Sequence, residues 1–143
     1  MNTPLVSIVL PTYNGARFIR QSIDSCLRQT YTNFELIIVN DCSTDETPAI
    51  IEEYAKADAR IKIIHNKVNK KLPGSLNIGF NAASGRYFTW TSDDNYYAPE
   101  AIASMVKVLE QNPQADIVYT DYYIIDDRDR ILRVMHFNDV NES

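Results

Sequence analysis

Leu5-Val6-Ser7-Ile8-Val9-Leu10 is the stretch that decides the class of this chain. It is a short, β-branched apolar run stopped by Pro11, and it reads as a strand buried on both faces, the habit of parallel sheets. Asn14-Gly15 follows as a turn signal. From Arg17 to Gln29, Ile19, Ile23, Cys26 and Leu27 fall at i, i+4, i+7 and i+8, one face of a helix. Phe34 to Val39 repeats the buried strand. Ser43 and Glu46 have capping-box spacing, and Ile50, Ile51 and Tyr54 mark the helix beyond them. Ile61 to Ile64 makes a third strand, and His65 to Leu72 a polar, lysine-rich loop. Pro73 suits a first helical turn, ahead of a stripe of Leu76, Gly79, Phe80 and Ala83 that ends at Ser84-Gly85. Arg86 to Thr91 is a fourth strand. Pro99 opens another helix, with Ile102, Met105, Val106 and Leu109 inward and Asn112-Pro113 as its stop. Ile117 to Tyr123 is predicted as a fifth strand, Asp126 to Asp129 as a turn, and Ile131 to Met135 as a short returning strand.

Strands alternating with helices predict an α/β fold. It is a three-layer α/β/α arrangement, with a mostly parallel, Rossmann-like sheet and helices on both faces. The length of 143 residues suits one domain with one core. No internal repeat, linker or low-complexity segment interrupts it.

Hydrophobic content of 45% and charged content of 23% are ordinary for a soluble globular protein. The formal net charge of −5 argues against a sequence-independent nucleic-acid binder, which needs a basic face. It leaves room for a small anionic ligand held through a divalent cation. Cys26 and Cys42 have no zinc-type spacing and read as free thiols of a reducing compartment. Met1-Asn2-Thr3-Pro4 has no positive n-region, and Leu5 to Leu10 is too short for a signal peptide or a membrane span. The expected location is cytoplasmic, with attachment to the inner face of a membrane only through a longer parent protein.

In an open parallel sheet, ligands bind outside the carboxyl ends of the strands. The segments at those ends are Pro11-Thr12-Tyr13-Asn14, Asn40-Asp41-Cys42-Ser43, His65-Asn66-Lys67 and Thr91-Ser92-Asp93-Asp94-Asn95. Asp93 and Asp94 repel each other unless a cation or donors compensate. Mg²⁺ and Mn²⁺ favour one or two carboxylates plus substrate phosphates. Neighbouring side chains in an extended segment point oppositely, so one of the pair ligates metal and the other is left for ribose hydroxyls. A solvated acidic loop is the ordinary alternative. Asp41 lies where it could accept the imide N–H of a uracil, while Asp45 better suits the helix N-terminus. Tyr13 is either rim or core aromatic, or a lid on the base. Lys67, Lys70 and Lys71 make a solvated loop by default, or place one cation on a diphosphate. His65 and His136 are isolated and read as structural or incidental.

These segments together resemble the family 2 glycosyltransferases, which have the nucleotide-diphospho-sugar transferase (GT-A type) fold. The resemblance runs from Val6 to Gly15 and from Gln29 to Asp45. It resumes at Ser75 to Gly79, Ala83 to Tyr87 and Trp90 to Asn95, in register over roughly Pro4 to Tyr123. It implies a nucleotide-diphosphate sugar donor, a UDP-sugar first, transferred to a saccharide or other hydroxyl acceptor with inversion. It also implies that Thr12 and Tyr13 line the nucleotide pocket, that Asp41 binds the base edge and Asp93 the ribose. Asp94 would hold the Mg²⁺ or Mn²⁺ that bridges the diphosphate. Many relatives carry arginine where this sequence has Leu76; Lys70 or Lys71 is then expected to meet the diphosphate, and Lys71 is nominated. Family members place a catalytic base, usually an aspartate, in an acceptor-binding half beyond the fifth strand. No segment after Met135 offers that half, so the chain is expected to be a donor-binding portion with no assignable base; Asp121 and Asp126 lie too early.

A catalytically incomplete nucleotide-sugar-binding module shares the same site and is the standing alternative. A phosphoacceptor signalling domain would want an acidic pair after the first strand, where Thr12-Tyr13-Asn14 stands. A sugar-phosphate nucleotidyltransferase would want a glycine- and arginine-rich loop there.

Overall fold

The computed structural model describes residues 3–136, which fall into two compact units, one through Ile102 and one from Ala103 onward. The first unit runs β1 (Val6–Thr12), α1 (Ile19–Leu27), β2 (Phe34–Asn40), α2 (Thr47–Ala57), β3 (Ile61–His65), α3 (Lys71–Ala82) and β4 (Tyr87–Trp90). Its sheet has the order β3-β2-β1-β4, and every pairing is parallel. The chain therefore moves outward from β1 to β3, then crosses back to lay β4 on the other side of β1. That reversal makes the carboxyl ends of β1 and β4 the topological switch point, where α/β sheets bind ligands.

The central strands earn their place by burial on both sides. All seven residues of β1 and all seven of β2 are buried. Val9, Ile37 and Val39 form one face, against which Leu76, Ile78, Phe80 and Ala83 of the α3 region pack. Ile8, Leu10, Leu36 and Ile38 alternate to the opposite face and are fully buried there. Right-handed crossovers from β1 to β2 and from β2 to β3 set α1 and α2 over that second face.

β1 does not stop at Pro11, as the sequence suggested, but continues to Thr12. The carbonyl of Val9 accepts the Thr91 amide on the β4 side, so Pro11, two residues on, also turns its backbone toward β4. The β4 ladder has ended by then, at Val9 opposite Trp90. The missing N–H of proline thus falls where no partner needs it, while the β2 ladder runs on through Thr12 opposite Asn40.

The capping box read from Ser43 and Glu46 does not form. Ser43 Oγ instead accepts the Asn14 amide at 3.0 Å, and the first turn of α2 is served by Asp45, whose Oδ1 accepts the Thr47 amide at 2.9 Å. α4 (Ala101–Gln111) ends where Asn112-Pro113 predicted. The fifth strand expected over 117–123 is shifted and does not join the parallel sheet. The strand there is β5 (Tyr122–Ile125), and it pairs antiparallel with β6 (Ile131–Met135) in a sheet of its own. The β-branched and aromatic run signalled a strand but not its partner. The turn after it decided the partner: Asp126 Oδ1 accepts the amides of Arg128 and Arg130, and Asp129 takes a left-handed φ of 60°. Among the described residues no helix is long and apolar enough to cross a membrane.

Candidate functional site

A cleft of about 270 Å³ opens at the switch point. It is lined by Thr12, Tyr13, Asp41, Lys71 and Asp93, together with Pro11, Asn69, Leu72, Ser75 and Ser92. Five residues nominated from three strand ends and the lysine loop therefore meet around one space. Asp94 is exposed and is not part of the lining.

Backbone lacing holds the loops that carry these side chains. Asn14 adopts a left-handed φ of 53°, which asparagine tolerates. Its Oδ1 accepts the Thr44 amide at 2.8 Å, its own amide donates to Ser43, and the Ala16 amide donates to Asp45 Oδ2. The loop after β1 is thereby tied to the loop after β2. The Asp41 amide closes the gap between the strands by donating to the Thr12 carbonyl at 2.9 Å.

Asp41 is 4% exposed. Its Oδ1 accepts Asn66 Nδ2 at 2.8 Å and the Lys70 amide at 2.7 Å. Burial alone would push its carboxyl up, but the hydrogen bonds from Asn66, the Lys70 and Lys71 amides and Ser75 overcome that and hold it below the usual carboxylate range. Asp41 is thus a fixed, ionised acceptor at the end of β2.

Asp93 behaves oppositely. Burial raises its pKa, the Thr12 hydroxyl donating to Oδ2 at 2.6 Å opposes this, and the neighbouring charge of Asp94 adds to the rise. Gly15 allows the approach: a Cβ there would lie 2.2 Å from Asp93 Oδ2 and 2.7 Å from Thr12 Oγ1. The turn signal at Asn14-Gly15 was legible, but the glycine serves this close approach, and the left-handed residue is Asn14. Asp94 has a different partner, with Oδ1 accepting the Ser92 hydroxyl at 2.5 Å.

Tyr13 is 55% exposed on the cleft, which removes it from the core. Of the lysines, Lys71 lines the cleft; Lys70 gives its amide to Asp41. Lys71 sits at a left-handed φ of 61°, with its amide donating to Asn69 Oδ1 at 3.0 Å. Such a conformation costs on the order of 1 kcal/mol and persists only where surrounding contacts fix it. Leu76, at the position where arginine was looked for, packs on the core of Val9, Ile37 and Val39. His65 bonds Asn40 and Glu52, a structural role as read.

No group of three or more His, Cys, Asp or Glu side chains is gathered for a metal among the described residues. The adjacent Asp93 and Asp94 carboxylates instead fit a hard cation that takes one or two protein oxygens and completes its shell with phosphates and water. Asp93 is committed to Thr12 and the cleft, which leaves Asp94 as the outward carboxylate.

Sequence reasoning did not single out Ser75, Asn69 and Leu72, and quoted Asn66 and Ser92 only as parts of strand-end segments. Asn66 joins Asp41 to Ser75 Oγ, 3.2 Å away on the buried face of α3. Nothing in local pattern marks such a bridge, since its ends are 25 and 9 residues distant. Asn66 and Ser92 did stand at strand ends, the signal that found the aspartates.

Residues 7–142 match the family model described as glycosyl transferase family 2. A protein of Haemophilus influenzae, described as an uncharacterized glycosyltransferase, is 46% identical over 111 residues, covering 78% of this chain and 34% of that protein. The Bacillus subtilis protein EpsJ, with the same description, is 43% identical over 120 residues, covering 84% of this chain and 34% of its own. The chain thus spans about a third of the length of these relatives. Among solved structures, Staphylococcus aureus TarS 1-349 in complex with UDP-GlcNAc superposes with a TM-score of 0.71 at 26% identity, over 76% of this chain and 32% of that one. The mannosyltransferase PcManGT from Pyrobaculum calidifontis, in complex with GDP-Man and Mn²⁺, superposes with a TM-score of 0.72 at 25% identity, over 90% of this chain and 38% of that one.

Proposed function

This chain belongs to glycosyl transferase family 2, and from that premise we propose that its cleft binds the nucleotide-diphosphate part of a sugar donor, UDP first, for metal-assisted transfer to an acceptor hydroxyl with inversion. The observation that carries the reading is the meeting of Thr12, Tyr13, Asp41, Lys71 and Asp93 in one cleft at the switch point of the sheet. The complexes of TarS with UDP-GlcNAc and of PcManGT with GDP-Man and Mn²⁺ support it.

Each residue then has a chemical task. Asp41, held ionised by Asn66 and the Lys70 amide, accepts an N–H from the base edge. Uracil and guanine offer it a ring N–H, whereas cytosine, whose N3 is itself an acceptor, offers only its exocyclic amine. Exposed Tyr13 offers a face on which the base stacks. Asp93, steadied by Thr12, accepts from ribose hydroxyls. Lys71 brings a cation to the diphosphate. Asp94, with Asp93 beside it, would hold Mg²⁺ or Mn²⁺, which supplies Lewis-acid stabilisation of charge on the leaving diphosphate.

Calorimetric titration tests this. UDP should bind the wild-type chain more tightly with Mn²⁺ than without, and CDP should bind more weakly than UDP. Asp94→Ala should lose roughly tenfold or more of the Mn²⁺-dependent gain while retaining the metal-free affinity. UDP affinity that ignores Mn²⁺ and is unchanged in Asp94→Ala would sink the metal assignment.

A further inference from the structure

One face of α1 carries buried polar groups that the donor reading leaves without a task. Ser22 and Ser25, and Gln29 just past the helix, recur at i, i+3 and i+7, and are 1%, 4% and 4% exposed. A helix in an α/β sandwich normally offers apolar side chains on its inner face, and a buried polar group is costly unless bonded. Here every one is bonded: Ser25 Oγ donates to the Ser22 carbonyl and Gln29 Nε2 to the Ser25 carbonyl within the α1 region, and all three also reach one segment beyond it. Gln29 Nε2 donates to the Ala98 carbonyl at 2.7 Å, and Gln29 Oε1 accepts the Ile102 amide at 3.0 Å. Ser25 Oγ accepts the Tyr97 amide at 3.1 Å. Ser22 Oγ donates to the Ser92 carbonyl at 2.8 Å. The ladder clamps the backbone that follows β4, the stretch bearing Asp93 and Asp94.

Ser92 is where the clamp reaches the acidic pair. Its carbonyl takes both Ser22 Oγ and, at 3.3 Å, the Asn95 amide that closes the turn. Its hydroxyl accepts Asn95 Nδ2 at 2.8 Å and donates to Asp94 Oδ1 at 2.5 Å. A continuous path thus runs from the buried Ser22 through Ser92 to the exposed Asp94 carboxylate. Asp94 has no burial of its own to fix its rotamer, so its direction depends on this path.

We propose that Ser22 is a positioning residue for the Asp94 carboxylate, acting through Ser92 so that one carboxylate oxygen is held while the other faces a divalent cation. This rests on the donor-binding reading above. Hard octahedral cations tolerate little error in ligand placement, and partners that orient a ligand often matter nearly as much as the ligand. Gln29 and Ser25 tie down the far end of the same segment, at Tyr97, Ala98 and Ile102.

The test measures UDP affinity with and without Mn²⁺ in wild type, Ser22→Ala, Asp94→Ala and the double variant. Ser22→Ala leaves the Ser92 carbonyl with its Asn95 partner, so the fold should persist, checked by circular dichroism. Ser22→Cys, similar in size with a weak donor, stands in if the alanine variant does not fold. Expected is a roughly tenfold loss of affinity in Mn²⁺ for Ser22→Ala, with metal-free affinity unchanged. The double variant should be no weaker than Asp94→Ala alone, because both changes act on one ligand. A merely structural serine would lower both affinities alike and add to Asp94→Ala; either result overturns the proposal. A wild-type chain whose affinity ignores Mn²⁺ overturns the metal reading and this proposal together. A metal-dependent wild type with an unaffected Ser22→Ala overturns this proposal alone.

Discussion

Glu35 is a carboxylate near the start of a strand whose other residues are all buried, and it is itself 5% exposed. Burial by itself would raise its pKa. Instead Lys62 Nζ at 2.6 Å, the Ser7 hydroxyl at 2.5 Å, and the Ser84 amide and hydroxyl at 2.7 and 2.9 Å bring it down to about 2. It ties β1, β2, β3 and the α3–β4 connection together at the end of the sheet away from the cleft. The sign follows from the direction. A carboxyl whose folded value lies below its ordinary 4.5 adds stability above that pH, and loses it as pH falls through 4.5 toward 2. Glu35→Gln should therefore cost about 1–3 kcal/mol at neutral pH, the range for an unmatched buried hydrogen bond. It should also flatten the acid limb of a stability curve measured by denaturant melts at stepped pH. An acid limb unchanged in the variant would remove Glu35 from this role. At this scale the aspartates of the cleft were legible because strand ends are legible, whereas the bond from Asn66 to Asp41, 25 residues away, becomes visible only once distant segments are side by side.

At the scale of elements, α3 lies close on the sheet because Gly79 lets it. A Cβ at Gly79 would stand 2.3 Å from Val9 Cγ1 and 3.2 Å from Val39 Cγ2, both on fully buried residues. Alanine would gain about 1 kcal/mol in helix propensity but force overpacking worth about 1–3 kcal/mol. The second effect wins, since neither valine has space to retreat. Gly79→Ala should lower stability by up to about 2 kcal/mol. Combined with Val9→Ala, the loss should be smaller than the sum of the two single losses, as thermal unfolding of the four chains would read. Additive losses would mean the helix and strand do not meet here. The Gly79 stripe itself was readable from helical spacing. The missing capping box was not, since Ser43 was taken by Asn14 from another loop.

At the scale of the whole molecule, burial is unevenly shared. The first unit holds two strands without one exposed residue. Among the described residues from 103 onward, Val106 alone is buried, and Tyr122, Tyr123, Ile124, Ile131, Leu132 and Val134 of the ribbon are 40–63% exposed. Protection against amide exchange follows buried contacts. Hydrogen exchange read by mass spectrometry should therefore find β1 and β2 protected orders of magnitude longer than β5 and β6. Equal protection in the ribbon and the central strands would contradict this distribution.

Hydrophobic runs and helical spacing, both local, were enough to set four strands, their helices and the side of the sheet where ligands belong. They also carried the family resemblance through Tyr13, Asp41, Asp93 and Asp94. What local pattern does not contain is pairing at long range. That Ile117 to Tyr123 yields an antiparallel ribbon was decided by a turn that offered a nearer partner. That Pro11 remains inside β1 was decided by where β4 ends. The Asp93-Asp94 pair and an expected split of its tasks were read from sequence, but the contacts that hold the two carboxylates were not. Thr12, 81 residues from Asp93, holds that carboxylate at the cleft, and Ser92, tied to Ser22 across 70 residues, holds one oxygen of Asp94.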